Sequence, residues 1–238
     1  MSIDSAPPPP TERRRSTYEV YLHTDELLSL QKSPEERLHP DELTFQVVHQ
    51  TFELWWKVTI EHLHLATSLL QQNQTGEVAQ VLRRAVAEQG VVMVALRQLE
   101  LVAPRDFLRI RTGLGNGSGG ESPGFRGILR AVPELWDAFV GALKNSGLEL
   151  VDLYLDPHRN AALYECAEAL TDFDEQFHLF RAAHLKLAQR HLGLRAIGTG
   201  GTPMPALEKT LQDLLFPELW EARDELLART TAQTTTDG

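Results

Sequence analysis

Two Glu-x-x-His pairs, Glu61/His64 and Glu175/His178, each put a carboxylate and an imidazole one turn apart on a stretch with helical periodicity. Two such pairs on facing helices are half the ligand set of a carboxylate-bridged di-iron centre. That centre needs two more inward glutamates, and Glu88 or Glu100 could serve only by facing the core. The bland alternative is a set of solvated surface residues. A second constellation is histidine alone. His49, in FQVVHQTFELWWK, and His184, in FRAAHLKLAQRH, sit among apolar and aromatic residues. Two such histidines could flank a flat cofactor such as haem, whose iron takes a neutral imidazole in an apolar pocket. They could equally be core histidines, each satisfied by a neighbour. Two glycine-rich stretches, 113–124 and 198–201, could cover a ligand with backbone N–H groups or simply connect elements. The first lacks the Gly-Lys-Ser/Thr ending of a P-loop, and the second is not the Gly-x-Gly-x-x-Gly of a dinucleotide fold and has no parallel sheet around it. Cys166 is the one cysteine, so an intrachain disulfide or a thiolate cluster is excluded. No nucleophile elbow is present.

These residues are carried by long segments of 3.6-residue periodicity, with almost no strand-like alternation. Val48, Phe52, Trp55, Ile60, Leu63, Leu69 and Leu70 mark a helix from Pro40 or Asp41 to about Gln72, on the order of 45 Å long. Val78, Val81, Leu82, Val91, Val92, Leu96 and Leu99 mark a second, from Thr75 or Gly76 to Val102. Pro104 opens a short helix that ends near Gly113. A third long helix runs from about Gly124 to Lys144, with Pro133 as a point of kinking. A fourth runs from about His158 to Leu192, and shorter ones occupy 204–214 and 217–229. LELVDLYLDP reads as a short strand or an extended connector. The fold class expected is all-α: a bundle of four long helices plus short ones. Residues 1–16, rich in proline and charge, read as a disordered arm, 17–229 as the folded domain, and 230–238 as a frayed tail.

The chain has 238 residues and a formal net charge of −10, which argues against nucleic acid as a partner. No apolar run approaches the roughly 20 residues that span a bilayer, and the N-terminus lacks a signal peptide's apolar core. A soluble, cytoplasmic protein with no membrane partner is the expectation.

Seven segments, in order, resemble the tryptophan 2,3-dioxygenase family. They are Tyr18-Glu-Val-Tyr21-Leu22; the run from His39 through Phe45, His49, Glu53 and Trp55 to Lys57; Phe107-Leu-Arg-Ile-Arg111; Ser118-Gly119; Asp174-Glu175-Gln-Phe177 with Phe180-Arg181-Ala-Ala-His184; Gly198-Thr199-Gly200-Gly201; and Phe216-Pro-Glu-Leu-Trp220. The resemblance implies a helical haem b protein that uses O2 to oxidise the indole ring of L-tryptophan or a substituted tryptophan. His184 then matches the proximal iron ligand, with its other ring nitrogen expected to be hydrogen-bonded. His49 matches the distal, catalytic histidine that meets the indole N–H. Phe45 and Phe107 match the indole pocket, Arg111 the clamp on the substrate carboxylate, and Thr199 the hydroxyl near the ammonium and carboxylate. Leu114, Ser118 and Gly119 match the loop over the haem, and Trp55 is grouped with the haem pocket. Tyr18, Tyr21 and Leu22 match a segment exchanged into a neighbouring subunit's site, which implies a homo-oligomer, a tetramer or a dimer. The same resemblance removes Glu175 from the iron ligands.

The chain departs from the family's pattern at the mouth of the site. Ser-Gly-Phe-Gln-Ser becomes Ser118-Gly119-Gly120-Glu121-Ser122, losing an aromatic cover and gaining a carboxylate. Thr202-Pro203-Met204 follows the glycine cluster in place of a serine-rich turn, Phe107 replaces a frequent tyrosine, and the chain is short for the family. Relatives in natural-product pathways oxidise substituted tryptophans, and one type inserts a single oxygen, so both dioxygenation and monooxygenation at indole C2/C3 stay open. A di-iron oxygenase and a non-catalytic haem-binding helical protein are the competing readings.

Overall fold

The computed structural model describes residues 15–198, 201 and 203–236, without the side chains of 233–236. The chain divides into two units, residues 1–37 and 38–238. The described part of the first holds two short helices, α1 (Thr17–Leu22) and α2 (Thr24–Leu28). Ser16 and Glu19 cap α1 reciprocally: Glu19 N donates to Ser16 Oγ at 3.2 Å and Ser16 N to Glu19 Oε2 at 2.7 Å. His23, at φ 52°, breaks the path between the two helices.

The second unit is built from α3 (Glu42–Gln71), α4 (Thr75–Gln98), α5 (Pro104–Gly113), α6 (Pro123–Asn145), α7 (Leu150–Leu155), α8 (Ala161–Leu192), α9 (Met204–Lys209) and α10 (Pro217–Thr236). Among the described residues the only β pairing is an isolated bridge between Ile197 and Pro203. The all-α class is therefore as the periodicity implies. α3 packs along α4 and α6, and α4 along α8. Each long helix turns one stripe inward. In α3 it is Val48, Phe52, Trp56, Leu63, Ala66 and Leu70; in α8 it is Leu163, Cys166, Leu170, Phe173, Phe177, Phe180 and Leu187. α3 and α8 are joined through aromatic rings rather than close backbones, with Phe52 and Trp56 edge-on to Phe180 at 5.6 and 5.3 Å.

Three expectations shift. LELVDLYLDP is neither strand nor extended: it forms α7. Glu149 N donates to Asp152 Oδ2 at 3.0 Å, closing a turn, and no neighbouring strand exists to pair an extended backbone. Pro133 lies inside α6 without ending it. α10 runs past 229, to Thr236.

The C-terminal segment is fastened to α8 by buried charge. Asp174, fully buried, accepts Leu215 N–H at 3.0 Å, Phe216 N–H at 3.2 Å and Trp220 Nε1–H at 3.0 Å. Arg181 donates to the carbonyls of Thr210, at 2.7 Å, and Asp213. Arg223 donates to Glu168 at 2.7 Å and to Tyr154 Oη at 2.9 Å. The Asp174–Phe177 and Phe216–Trp220 motifs are thus two halves of one joint. Asp174→Ala leaves three donors without their acceptor, each costing about 1–3 kcal/mol when buried. Urea unfolding of this variant is expected to show a loss of about 3–5 kcal/mol; an unchanged midpoint would refute the joint.

Candidate active site

Phe45, His49, Phe52 and Trp56 follow one another at four- and three-residue steps on α3, so they share a stripe. The His49 ring lies 4.1 Å from Phe45 and 5.4 Å from Phe52, by centroids. Phe52 touches Phe180, and Phe180 stacks 6.0 Å from His184 on the facing helix. His49 and His184 are thus brought to opposite ends of a short aromatic bridge. Both rings are closely surrounded by protein atoms yet keep part of their surface accessible.

Burial is the main influence on both rings. It pushes the His184 imidazole down to about 4, with the nearby His49 adding a smaller repulsion. It lowers His49 as well, against the opposing pull of its bond to Phe45 and of the Glu53 charge. Each is neutral at pH 7. His49 Nδ1 lies 2.7 Å from the Phe45 carbonyl, which can only accept. The proton therefore sits on Nδ1, and Nε2 presents its lone pair. His184 differs: no described residue hydrogen-bonds its ring, so the partner expected for its second nitrogen is not found there.

That arrangement fits a haem. The iron ligand must be a neutral imidazole with a nitrogen to spare in apolar surroundings, and His184 meets each condition. Gly119 strengthens the fit. A Cβ added to it would lie 3.7 Å from Cε1 and 3.8 Å from Nε2 of His184, in ordinary contact, so Gly119 is the loop residue that faces that edge of the ring.

Phe107 of α5 lies 6.2 Å from Phe45 and 4.5 Å from His191. His191 is a core histidine between the carbonyls of Leu187 and Val102, and it seats α5 against α8. Arg111, one turn beyond Phe107, donates from Nη2 to the Ile197 carbonyl at 2.7 Å. It thereby ties α5 to the strand-like pair that flanks residues 198–202, where Met204 N also reaches Ala196 O at 3.2 Å. Thr199 itself lies outside the described residues. Leu114 is exposed at the end of α5. Ser118 N donates to Glu121 Oε2 at 2.8 Å. In the first unit, Tyr18, Tyr21 and Leu22 are exposed, Tyr21 at 84%.

Two assignments change. Trp55 is half-buried and makes no ring contact in the aromatic bridge; its neighbour Trp56 does, because the stripe runs 45, 49, 52, 56. The di-iron set is not assembled. Glu61, His64, Glu175 and Glu100 are exposed. Glu88 is buried, but against Thr59 Oγ1 at 2.8 Å and His62 Nδ1 at 2.7 Å.

Glu53 carried no role in the sequence reading and is central here. Its carboxylate accepts Ser122 Oγ–H and, at 2.8 Å, Gly124 N–H, joining the glycine-rich loop to α3 one turn from His49. The four-residue step from His49 to Glu53 was the available signal.

A sequence profile described as tryptophan 2,3-dioxygenase matches residues 5–132. The tryptophan 2,3-dioxygenase of Serratia proteamaculans is 30% identical over 90% of this chain and 94% of its own. That of Caulobacter vibrioides is 31% identical over 88% of this chain and 98% of its own. The chain belongs to the tryptophan 2,3-dioxygenase family. It is by that membership an oxygenase. The homologue from Myxococcus xanthus, 29% identical, extends the likeness over 89% of the chain. No helix among the described residues is long and apolar enough to cross a membrane.

The buried imidazoles give this tryptophan 2,3-dioxygenase homologue a pH signature when free of haem. Unfolded, His184 takes a proton near 6.5; folded, it resists down to about 4. Stability is therefore untouched above pH 6.5 and falls as pH drops from 6.5 to 4, by about 3 kcal/mol from this group. Urea titrations of the haem-free chain at pH 7 and 4.5 are expected to show a smaller drop for His184→Leu than for the parent. Equal drops would contradict the neutral, buried imidazole.

Proposed function

We propose that the protein binds haem b through His184 and uses O2 to open the indole C2–C3 bond of L-tryptophan or a close analogue, giving an N-formylkynurenine-type product. The observation that carries this reading is the pair of neutral histidines at the two ends of the Phe52–Phe180 bridge, one without a hydrogen-bond partner among the described residues and one with its tautomer fixed. Haem held there supplies the iron at which O2 is activated. The chain's own residues supply position. With Nδ1–H committed to Phe45 O, His49 Nε2 is an acceptor and can take the indole N–H. Phe45 and Phe107 offer flat apolar walls to the ring. Arg111 pairs with no carboxylate among the described residues, and its fork suits the substrate carboxylate. Thr199 would complete that grip. Ser118 and Gly119 close the haem side, and Leu114 the rim. The exposed Tyr18, Tyr21 and Leu22 would reach the site of a neighbouring subunit in a homotetramer or homodimer, in the cytoplasm.

Opening of the C2–C3 bond accounts for both atoms of O2 with no external reductant. A second reading, insertion of one oxygen into a substituted tryptophan in a natural-product pathway, is favoured by Gly120. Its position carries no aromatic cover, and a Cβ there would meet only Ser118 Oγ, at 3.8 Å. That outcome requires an electron donor.

His184→Ala is expected to abolish the Soret band of the haem-loaded protein; an unshifted band would remove His184 as ligand. Arg111→Ala is expected to raise KM for tryptophan by about 100-fold, the worth of one charge-assisted pair. Mass spectra of products made under isotopically heavy O2, from tryptophan and substituted tryptophans, are expected to show two heavy atoms per product. One heavy atom would establish the second reading, and no product would overturn both.

A further inference from the structure

We propose that Glu53 is a positioning residue whose carboxylate latches the 118–124 loop with Gly119 against the His184 ring, and that this latch sets how tightly substrate is enclosed. The link to substrate rests on the function proposed above; the latch does not.

The two carboxylate oxygens are used separately. One accepts Ser122 Oγ–H, and the other accepts Gly124 N–H at 2.8 Å. Ser122 is also the N-cap of α6, its Oγ accepting Phe125 N–H at 3.0 Å. The hydroxyl therefore accepts one hydrogen bond from the helix and donates its own to Glu53. First-turn N–H groups have no partner within a helix, and the N-terminal end carries partial positive charge. A carboxylate is the group best suited to both. No cation pairs with Glu53 among the described residues, so these hydrogen bonds and the helix end hold its charge.

The fit at the latch is close. A Cβ on Gly124 would lie 2.8 Å from both Glu53 Oε2 and Trp56 Cβ. Only glycine lets the loop seat there. The loop then carries the hold to its far end. Ser118 and Glu121 close a reciprocal cap, Ser122 N bonds Gly119 O at 3.2 Å, and Arg126 Nε donates to Gly120 O at 2.7 Å. The 118–122 stretch is thus a small braced unit. Fixing it at Ser122 and Gly124 fixes Gly119, which faces the His184 ring. Glu53 lies one turn beyond His49, so the same residue that anchors the loop rides on the helix that carries the distal imidazole.

The test uses Glu53→Gln, which keeps size and loses charge, and Ser122→Ala, which removes one hydroxyl. In the haem-free full chain, hydrogen exchange at the Glu121, Ser122 and Gly124 amides is expected to quicken by about tenfold in both variants. Amides of residues 177–187 in α8 should be unchanged. In the haem-loaded chain, KM for tryptophan is expected to rise about tenfold, with kcat changed less than about threefold and the Soret band unshifted. Unchanged exchange at the three amides in both variants overturns the latch. Faster exchange with KM and kcat both unmoved overturns its role in enclosing substrate. A parent chain that takes up no haem or turns over no tryptophan overturns the proposed function instead, and the exchange measurement still decides the latch.

Discussion

A histidine ring kept neutral and free of hydrogen bonds, deep between two helices, is the arrangement on which the other parts depend. A polar nitrogen without a protein partner costs about 1–3 kcal/mol where water cannot reach it, less for a ring that keeps some accessible surface as His184 does, and left to itself the surrounding chain would shift to satisfy it. His184 is kept from that by the fixing of the helix around it. α8 turns Phe173, Phe177, Phe180 and His184 inward on one stripe, while an adjacent stripe, Glu168, Thr171, Asp174 and Arg181, receives the C-terminal segment. The second stripe uses strong, charge-assisted bonds. The first uses rings alone. Strength on one face of the helix permits an unsatisfied group on the other.

The comparison of His49 with His184 shows how little separates two chemical roles. Both are histidines on apolar faces of 30-residue-class helices, and burial lowers the pKa of both. One bond divides them. His49 Nδ1 meets the carbonyl one turn back, which fixes the tautomer and leaves Nε2 as a single acceptor. His184 makes no such bond, and one edge of its ring faces Gly119. His191 marks the third possibility, a ring between two carbonyls with nothing left to offer.

Much of the bundle was legible because amphipathic helices announce themselves by period. The ends of α3, α5 and α6 fall within a residue or two of where caps and prolines place them. α7 was misread because LELVDLYL is as strand-like in composition as any segment here. Only the Glu149/Asp152 cap and the lack of a strand partner decide for helix. Of the residues named by family motif, Phe45 touches both His49 and Phe107, and Gly119 faces His184, while Tyr18, Tyr21, Leu22 and Leu114 are exposed. Trp55 was chosen over Trp56 because two adjacent tryptophans are equivalent by composition, and only the helical phase separates them. Glu53 escaped notice because its partners, Ser122 and Gly124, are some seventy positions distant. A carboxylate beside two tryptophans reads as surface charge until the loop is laid against it.

The same logic reinterprets the loop's departure from the family pattern. In sequence, Glu121 brings a negative charge to the mouth of a site that would bind an amino acid. In the fold that charge is turned back onto Ser118 N–H and closes a one-turn cap. The substitution therefore alters shape more than electrostatics. What the loop loses is the bulk at Gly120, whose carbonyl is held by Arg126 and where an added Cβ would meet only Ser118 Oγ, at 3.8 Å. A site that keeps its imidazoles and its arginine but surrenders one wall holds the amino-acid end as firmly as before. It relaxes its demand on the outline of the ring, and ring outline is where substituted tryptophans differ from tryptophan.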